Sequence, residues 1–301
     1  MPELPEVETI VRELRKKVLK RTFFDMWTDN PKMIYFCNDF KKQVKDLRDI
    51  NEFKKEIKGK VINNIWRRGK NIIFDLSKNK SLLIHQKLTG HLLVGQWTLN
   101  KGLWEPIDNN FLKEPVNRYI HLMFWLSGDL MLALSDLRKF AKVELWDSDK
   151  LKKSRELNEL GPEPLDKNFT FQIFKNVLPK KGKIKQVLMN QTVVAGIGNI
   201  YSDEILWEAR VYPLKDVSKL SEKELNEIYQ AIKKILKTAI KLKGESFSDF
   251  RRTSGEKGNF DKERKVYQKE GEKCFRCGAT IQRVKLGGRS AHFCPVCQKS
   301  D

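Results

Sequence analysis

Long apolar runs and histidine are scarce in this chain of 301 residues, and acidic side chains are outnumbered by basic ones. Polar and charged residues interrupt its most apolar stretch, 119–134, so it has no segment of the roughly 20 apolar residues needed to cross a bilayer. A secretory signal is not indicated either, because Glu3, Glu6 and Glu8 occupy the place of its basic first region. These absences predict a soluble, cytoplasmic protein with no membrane partner.

The excess of Lys and Arg over Asp and Glu makes the chain strongly basic. It has 59 Lys and Arg against 39 Asp and Glu, a formal net charge of +20 and an isoelectric point near 9.6. Such a charge favours a polyanionic partner, above all nucleic acid. Because 40% of the residues are apolar, the charge does not imply disorder, and the length predicts two domains.

Cysteine occurs only five times, and its spacing indicates a metal site. Cys37 stands alone and is interpreted as a buried thiol. The other four form two C-x2-C pairs, Cys274 with Cys277 and Cys294 with Cys297, separated by residues 278–293. This spacing is typical of a ribbon that binds one structural zinc ion through four thiolates. His292 is a rival ligand, although four cysteines already complete the coordination shell.

Apolar periodicity divides the chain into a strand-rich half and a helical half. Residues 5–18 repeat apolar side chains at helical spacing, whereas short apolar runs between turn signals predict a β-sandwich over 61–146. A charged segment followed by Gly161-Pro-Glu-Pro164 predicts an interdomain linker at 148–165. Helices are predicted at 169–177, 184–193, 200–209 and 221–242, and residues 244–262 are interpreted as a mobile loop.

Two further features could carry chemistry or could be purely structural. If Met1 is removed, Pro2 presents a secondary amine that can attack an electrophilic carbon, and Glu3 beside it could move protons. The alternative is that Pro2 only begins a helix. The turn Ala195-Gly-Ile-Gly-Asn199, with lysines before it, could bind a phosphate at the start of the next helix. It could also be an ordinary corner between two helices.

Three separated motifs resemble the Fpg/Nei family of bacterial DNA glycosylases. They are the opening Met1-Pro-Glu-Leu-Pro-Glu-Val-Glu-Thr9, the Asn199-Ile-Tyr201 that follows the double-glycine turn, and the four-cysteine ribbon. The resemblance covers residues 2–299. Leu4 favours the formamidopyrimidine-DNA glycosylase branch, because endonuclease VIII-type members usually carry glycine there.

The resemblance implies roles for four catalytic residues. Pro2 would attack C1′ of the damaged nucleotide and form a Schiff base, and Glu3 would be the acid and base. Lys70, in Arg67-Arg-Gly-Lys70, would contact phosphate and assist β-elimination. Arg289, in Gly287-Gly-Arg289, would bind a flanking phosphate and assist the second elimination.

The resemblance also implies a set of DNA contacts. Arg138 would read the unpaired cytosine, while Phe140 and Leu88 would fill the space left by the extruded nucleotide. The remaining implied contacts are Tyr119, Lys181, Lys185 and Asn199. Leu88 stands where relatives have methionine, Tyr119 where many have histidine, and Ser248 where many have arginine. Ser246, Ser248 and Phe260 fall in a loop, 244–260, that would close over an oxidised purine.

Together these inferences predict an α+β protein with four segments. They are an N-terminal catalytic β-sandwich flanked by helices (2–147), the linker 148–165, a helix-two-turn-helix domain (166–262) and a zinc finger (263–301). The implied activity is excision of oxidised purines, such as 8-oxoguanine and formamidopyrimidines, from duplex DNA by a monomer, followed by β,δ-elimination. The alternatives are endonuclease VIII-like specificity for oxidised pyrimidines and a catalytically silent DNA-binding protein. Location at the bacterial nucleoid is expected.

Overall fold

The computed structural model describes residues 1–38, 40–107, 111–246 and 249–300. The chain folds into two compact units. The first unit contains Met1–Asn158 and Lys243–Asn259, and the second contains Glu159–Leu242 and Phe260–Asp301. The return of the chain to the first unit at 243–259 was not expected from the sequence, which assigns that segment to the helical domain.

The first unit is a β-sandwich with helices. Its helices are α1 (Leu4–Val18), α2 (Leu47–Ile57), α3 (Ser148–Lys153) and α4 (Arg155–Asn158), with 3-10 turns at Pro31–Met33 and Pro115–Arg118. Its strands are β1 (Phe23–Thr28), β2 (Ile34–Cys37), β3 (Lys41–Gln43), β4 (Ile62–Arg68), β5 (Asn71–Leu76), β6 (Lys80–His85), β7 (His91–Gly95), β8 (Trp97–Asn100), β9 (Leu103–Pro106), β10 (Ile120–Leu126), β11 (Leu130–Ser135) and β12 (Lys142–Asp147).

Two sheets share one apolar core. The four-stranded sheet has the order β1-β10-β11-β7, and the six-stranded sheet has the order β3-β2-β12-β6-β5-β4. Neighbouring strands are antiparallel except β2 and β12. Residues of both sheets and of α1 form a single buried cluster that includes Ile10, Phe74 and Phe124. Apolar side chains on one face of each element are thereby removed from water, which is the main driving force for this packing.

Most of the predicted elements of this unit are confirmed. α1 covers the predicted periodic helix, and strands β4 to β12 occupy the segment 61–146 that is predicted as a β-sandwich. The region 19–60, for which no element was predicted, contains β1, β2, β3 and α2. The predicted linker contains α3 and α4, and the division between the units falls at 158/159.

The second unit consists of helices and of a β-hairpin that lies between the two cysteine pairs. It contains α5 (Phe171–Val177), α6 (Ile184–Met189), α7 (Asn199–Glu208), α8 (Glu222–Lys241), the hairpin β13 (Gln282–Leu286) and β14 (Arg289–Phe293), and 3-10 turns at Val217–Lys219 and Phe260–Glu263. A capping box begins α8, with the Glu224 N–H donating to the Ser221 hydroxyl. Among the described helices, none combines the length and the hydropathy of a bilayer-spanning segment.

Candidate functional site

The start of the chain is buried and held by its own helix. Pro2 and Glu3 are buried, and the Glu3 backbone N–H donates to Glu6 Oε2 at 2.8 Å. Glu6 Oε1 accepts from the Glu245 N–H, also at 2.8 Å. The first turn of α1 is therefore fixed on both sides, so that a group at Pro2 would have a defined position.

Lys70 lies close to this terminus. It is a buried residue in the turn between β4 and β5. Burial lowers the pKa of the α-amine of Met1. The charges of Glu3 and Glu6 raise this pKa, whereas the charge of Lys70 lowers it further. Pro2, Glu3 and Lys70, which the resemblance assigns to catalysis, are thus brought together in one unit.

His85 is a neutral group beside Lys70. Burial, together with the charges of Lys87 and Lys70, lowers the pKa of His85 to about 3. Its Nδ1 accepts a hydrogen bond from the Lys87 N–H at 2.9 Å. The sequence alone does not indicate this property, because nothing in it reports the burial that lowers the pKa of His85.

The predicted gap-filling residues lie on two loops of the first unit. Leu88 is half-buried in loop 86–90, whereas Arg138 and Phe140 are exposed in loop 136–141. The Arg138 guanidinium lies 5.9 Å from the Phe140 ring centre. Phe140 is 54% exposed, an unusual position for a large apolar ring that suits insertion into a base stack. Tyr119 is 37% exposed, and its carbonyl accepts from the Asp136 N–H.

Lys185, which the resemblance assigns to phosphate binding, is fully buried. Its Nζ donates to Asp203 Oδ1 at 2.5 Å and to the Asn199 carbonyl at 3.3 Å, and the Lys185 and Asp203 side chains are both 0% exposed. Asp203 Oδ2 accepts from His292 Nδ1 at 2.8 Å and from the His292 N–H. A buried network therefore joins α6, α7 and β14.

Asp203 was missed by sequence reasoning. The signal was its place among the apolar residues of α7, since an acidic residue on a fully buried helix needs a cationic or hydrogen-bonding partner. Glu204 is buried beside it and accepts three backbone N–H groups, from Lys265, Val266 and Tyr267. Burial nevertheless raises the pKa of Glu204.

The buried ion pair leads to a stability prediction. Lys185→Met should lower the free energy of unfolding by about 3–5 kcal/mol, because it leaves the Asp203 carboxylate without its ammonium partner. Urea unfolding measures this change. Lys181→Met removes the same charge from an exposed position and should change stability by less than about 0.5 kcal/mol. Equal stability of the two variants would contradict the network.

Asn199 and Arg289 line one cavity of the second unit. Asn199 is the first residue of α7, after the glycine turn, and Arg289 is exposed at the start of β14. The cavity, about 570 Å³, is also lined by Lys285 and Arg283, and by Glu270, which pairs with Arg283 at 3.3 Å. Lys181 is exposed in the loop before α6. Cationic side chains and a helix N-terminus together suit a phosphate group.

The four cysteines of the ribbon form a metal-binding cluster. All four Sγ atoms lie within 4.8 Å of one another, with separations of 3.9 Å for Cys274–Cys297 and 3.4 Å for Cys277–Cys294. A tetrahedral zinc ion with Zn–S bonds of about 2.3 Å places its ligands about 3.8 Å apart, so these residues fit the metal. Among the described residues this group contains only the four cysteines, whereas the His292 ring contacts Asp203 through Nδ1 at 2.8 Å and Glu270 through Nε2 at 3.5 Å.

Residues 249–258 pack on the core and on α1 of the first unit, to which they belong, although the sequence predicts a mobile loop there. Phe250 joins the main core, and Glu13 of α1 accepts from Arg252 Nε at 2.7 Å and from Thr253 Oγ1 at 2.9 Å. Ser246 is buried and accepts from the Gly258 N–H. Phe260 packs on Tyr201 in the second unit, with ring centres 5.1 Å apart. Ser248 lies outside the described residues.

Comparison with known proteins matches almost the whole chain to one family. Residues 1–143 match the formamidopyrimidine-DNA glycosylase N-terminal domain, residues 160–251 match its H2TH domain, and residues 271–299 match a zinc finger found in FPG and IleRS. Formamidopyrimidine-DNA glycosylase of Lactococcus lactis strain IL1403 is 37% identical over 99% of this chain and 100% of its own length. The Carboxydothermus hydrogenoformans enzyme is 39% identical with the same coverage.

Solved structures of the Lactococcus lactis protein superpose on this chain. The complex with DNA that contains an abasic site has a TM-score of 0.82 and 36% identity, and covers 99% of this chain and 100% of the other. The complex of wild-type Lactococcus lactis Fpg with DNA containing an oxidised pyrimidine has the same TM-score, identity and coverage. A complex with N7-benzyl-Fapy-dG DNA has a TM-score of 0.82 and 37% identity, at the same coverage.

Proposed function

Since the chain belongs to the formamidopyrimidine-DNA glycosylase family, we propose that it is a DNA glycosylase that removes oxidised purines from duplex DNA and then cleaves the abasic strand. The observation that carries this proposal is the juxtaposition of buried Pro2 and Glu3 with Lys70, in a chain whose three family matches follow in order. The basic charge of +20 supplies the attraction to DNA.

Pro2 is proposed as the nucleophile after removal of Met1. Its nitrogen forms a bond to C1′ while the bond from C1′ to the base breaks, and the departing base takes a proton. Glu3 donates a proton to the sugar-ring oxygen, the ring opens, and an iminium ion forms between Pro2 and C1′. Burial and the charge of Lys70 lower the pKa of the Met1 α-amine. After removal of Met1, the same surroundings would favour the neutral, nucleophilic form of the Pro2 nitrogen.

Two eliminations would then cleave the strand. The iminium withdraws electrons, so that a proton leaves C2′ and the 3′ phosphate departs, and a second elimination releases the 5′ phosphate. Lys70 is proposed to bind phosphate and assist the first step, and Arg289 the second. The phosphates that flank the lesion are assigned to Arg289, Lys181, Asn199 and Tyr119. Lys185 contributes by holding the Asn199 carbonyl at the start of α7.

Leu88, Arg138 and Phe140 are proposed to occupy the space that the extruded nucleotide leaves. Leu88 and Phe140 would stack in the gap, and the Arg138 guanidinium would donate to the acceptors of the unpaired cytosine. The zinc cysteines would brace the hairpin that carries Arg289, and an ion bound there has a structural role because four thiolates fill its coordination shell. The protein is proposed to act as a monomer at the nucleoid of a bacterial cytoplasm.

Cleavage of two matched duplexes tests this function. We expect faster strand cleavage of a duplex that carries 8-oxoguanine opposite cytosine than of one that carries 5-hydroxycytosine opposite guanine at the same position. The products should end in phosphate on both sides of the gap, as β,δ-elimination requires. Faster cleavage at the pyrimidine would favour the endonuclease VIII-like alternative. Binding without cleavage of either duplex would identify a silent binding protein.

A further inference from the structure

The two loops that carry the gap-filling residues run side by side between the sheets. His85 at the end of β6 pairs with Lys142 at the start of β12, in the six-stranded sheet. In the four-stranded sheet, Ser135 at the end of β11 pairs with His91 at the start of β7. Loops 86–90 and 136–141 therefore both cross from one sheet to the other at the same end of the sandwich.

Buried polar groups connect these two loops. The Thr89 hydroxyl donates to Asp136 Oδ1 and accepts from the Arg138 N–H at 3.1 Å. Asp136 is 0% exposed, and its carboxylate also accepts from the N–H groups of Arg138 at 3.3 Å and Ala141 at 2.7 Å. The base-reading arginine is thus fixed, through its own backbone, to the loop that carries Leu88.

Close packing reinforces this connection at Gly90. A Cβ atom on Gly90 would lie 2.5 Å from the Gln86 carbonyl oxygen and 3.2 Å from Ala141 Cβ, so the position accepts only glycine without a shift of one loop. The loops consequently meet along a buried seam formed by Thr89, Gly90, Asp136 and Ala141. Arg138 and Phe140 point away from this seam, as their exposure shows.

We propose that Thr89 and Asp136 are positioning residues that set the preference for cytosine opposite the lesion, an inference that rests on the proposed function. Arg138 can discriminate between opposite bases only if its backbone is held where its guanidinium meets the cytosine acceptors and misses those of adenine. The hydrogen bonds of Thr89 and Asp136 hold it there and keep Leu88 in register with Phe140. Specificity of this kind depends on the fixed geometry of a few polar groups.

Removal of the Thr89 hydroxyl tests the inference. Thr89→Val has a similar shape and lacks the hydroxyl. The measured quantity is the ratio of the excision efficiency for 8-oxoguanine opposite cytosine to that for 8-oxoguanine opposite adenine. In this variant the ratio should fall about tenfold, the usual effect of losing a hydrogen bond to a charged group. Thr89→Ser keeps the hydroxyl and should have the same ratio as the parent enzyme. Active enzyme in each preparation is counted by borohydride trapping on abasic-site DNA. Thr89→Ala removes the same hydroxyl if the valine variant does not fold.

The possible outcomes distinguish failure of this inference from failure of the proposed function. A purely structural role would lower excision opposite both bases equally, so an unchanged ratio in a folded variant without the hydroxyl would overturn the positioning role alone. A ratio that falls in Thr89→Ser as well would also overturn it, because the hydroxyl would then not be the relevant group. A parent enzyme that neither cleaves 8-oxoguanine DNA nor is trapped on it would overturn the proposed function itself.

Discussion

Pro2→Gly should lose base excision by at least about a hundredfold while it binds lesion DNA with nearly the affinity of the parent. Glycine keeps a terminal amine but removes the secondary amine, whose iminium needs no proton to carry its charge. The side chain of Pro2 lies before α1, so the helix and the hydrogen bond from the Glu3 N–H to Glu6 are retained. Single-turnover excision and equilibrium DNA binding measure the two effects separately.

Pro5→Ala is the matched control for this substitution. Pro5 lies in the first turn of the same helix and is buried like Pro2, but it presents no amine. It should keep excision within a few-fold of the parent. Equal turnover of Pro2→Gly and the parent would contradict the nucleophile assignment, and a loss of DNA binding in Pro2→Gly would show that the substitution disturbs more than chemistry.

Cys294→Ser should release zinc and weaken DNA binding by at least about tenfold. Structural zinc sites of this type contribute about 10–16 kcal/mol of binding free energy at neutral pH, which is also folding free energy for the module that holds them. Cys294 is fully buried next to Ile281 and Val266, and its N–H is bound by Gln298 Oε1. Loss of this ligand would therefore loosen the hairpin that carries Arg289.

Cys37→Ser controls for the loss of a buried thiol. Cys37 lies in β2 and is not one of the four clustered cysteines, and burial raises the pKa of its thiol to about 12, so that the thiol is protonated at neutral pH. Its serine variant should keep one zinc per chain, measured by metal analysis, and full DNA affinity. Zinc retention in Cys294→Ser, or unchanged affinity after zinc loss, would contradict the role assigned to the ribbon.

Local signals in the sequence predicted much of the fold. The helix α1 follows from one apolar stripe, the central strands from short apolar runs between turns, and the metal cluster from the spacing of four cysteines. Each of these features depends on residues close together in the chain, or on a ligand set whose chemistry has few alternatives.

Long-range contacts explain what the sequence did not predict. Lys185 and Asp203 are 18 positions apart and both charged, so the sequence alone favours exposed side chains, whereas the structure buries them as a pair. Residues 249–258 are rich in polar residues, yet they pack on α1 because Glu13, some 240 positions earlier, binds Arg252 and Thr253. The seam between Thr89 and Asp136 likewise depends on the pairing of strands far apart in sequence.

Mapping of the covalent adduct tests the central claim most directly. The protein is incubated with 8-oxoguanine duplex and borohydride, the trapped complex is digested, and the modified peptide is identified by mass spectrometry. We predict a single deoxyribose-derived adduct on the nitrogen of Pro2, in chains that have lost Met1. An adduct on Lys70 or another lysine, or full activity in chains that retain Met1, would contradict the account.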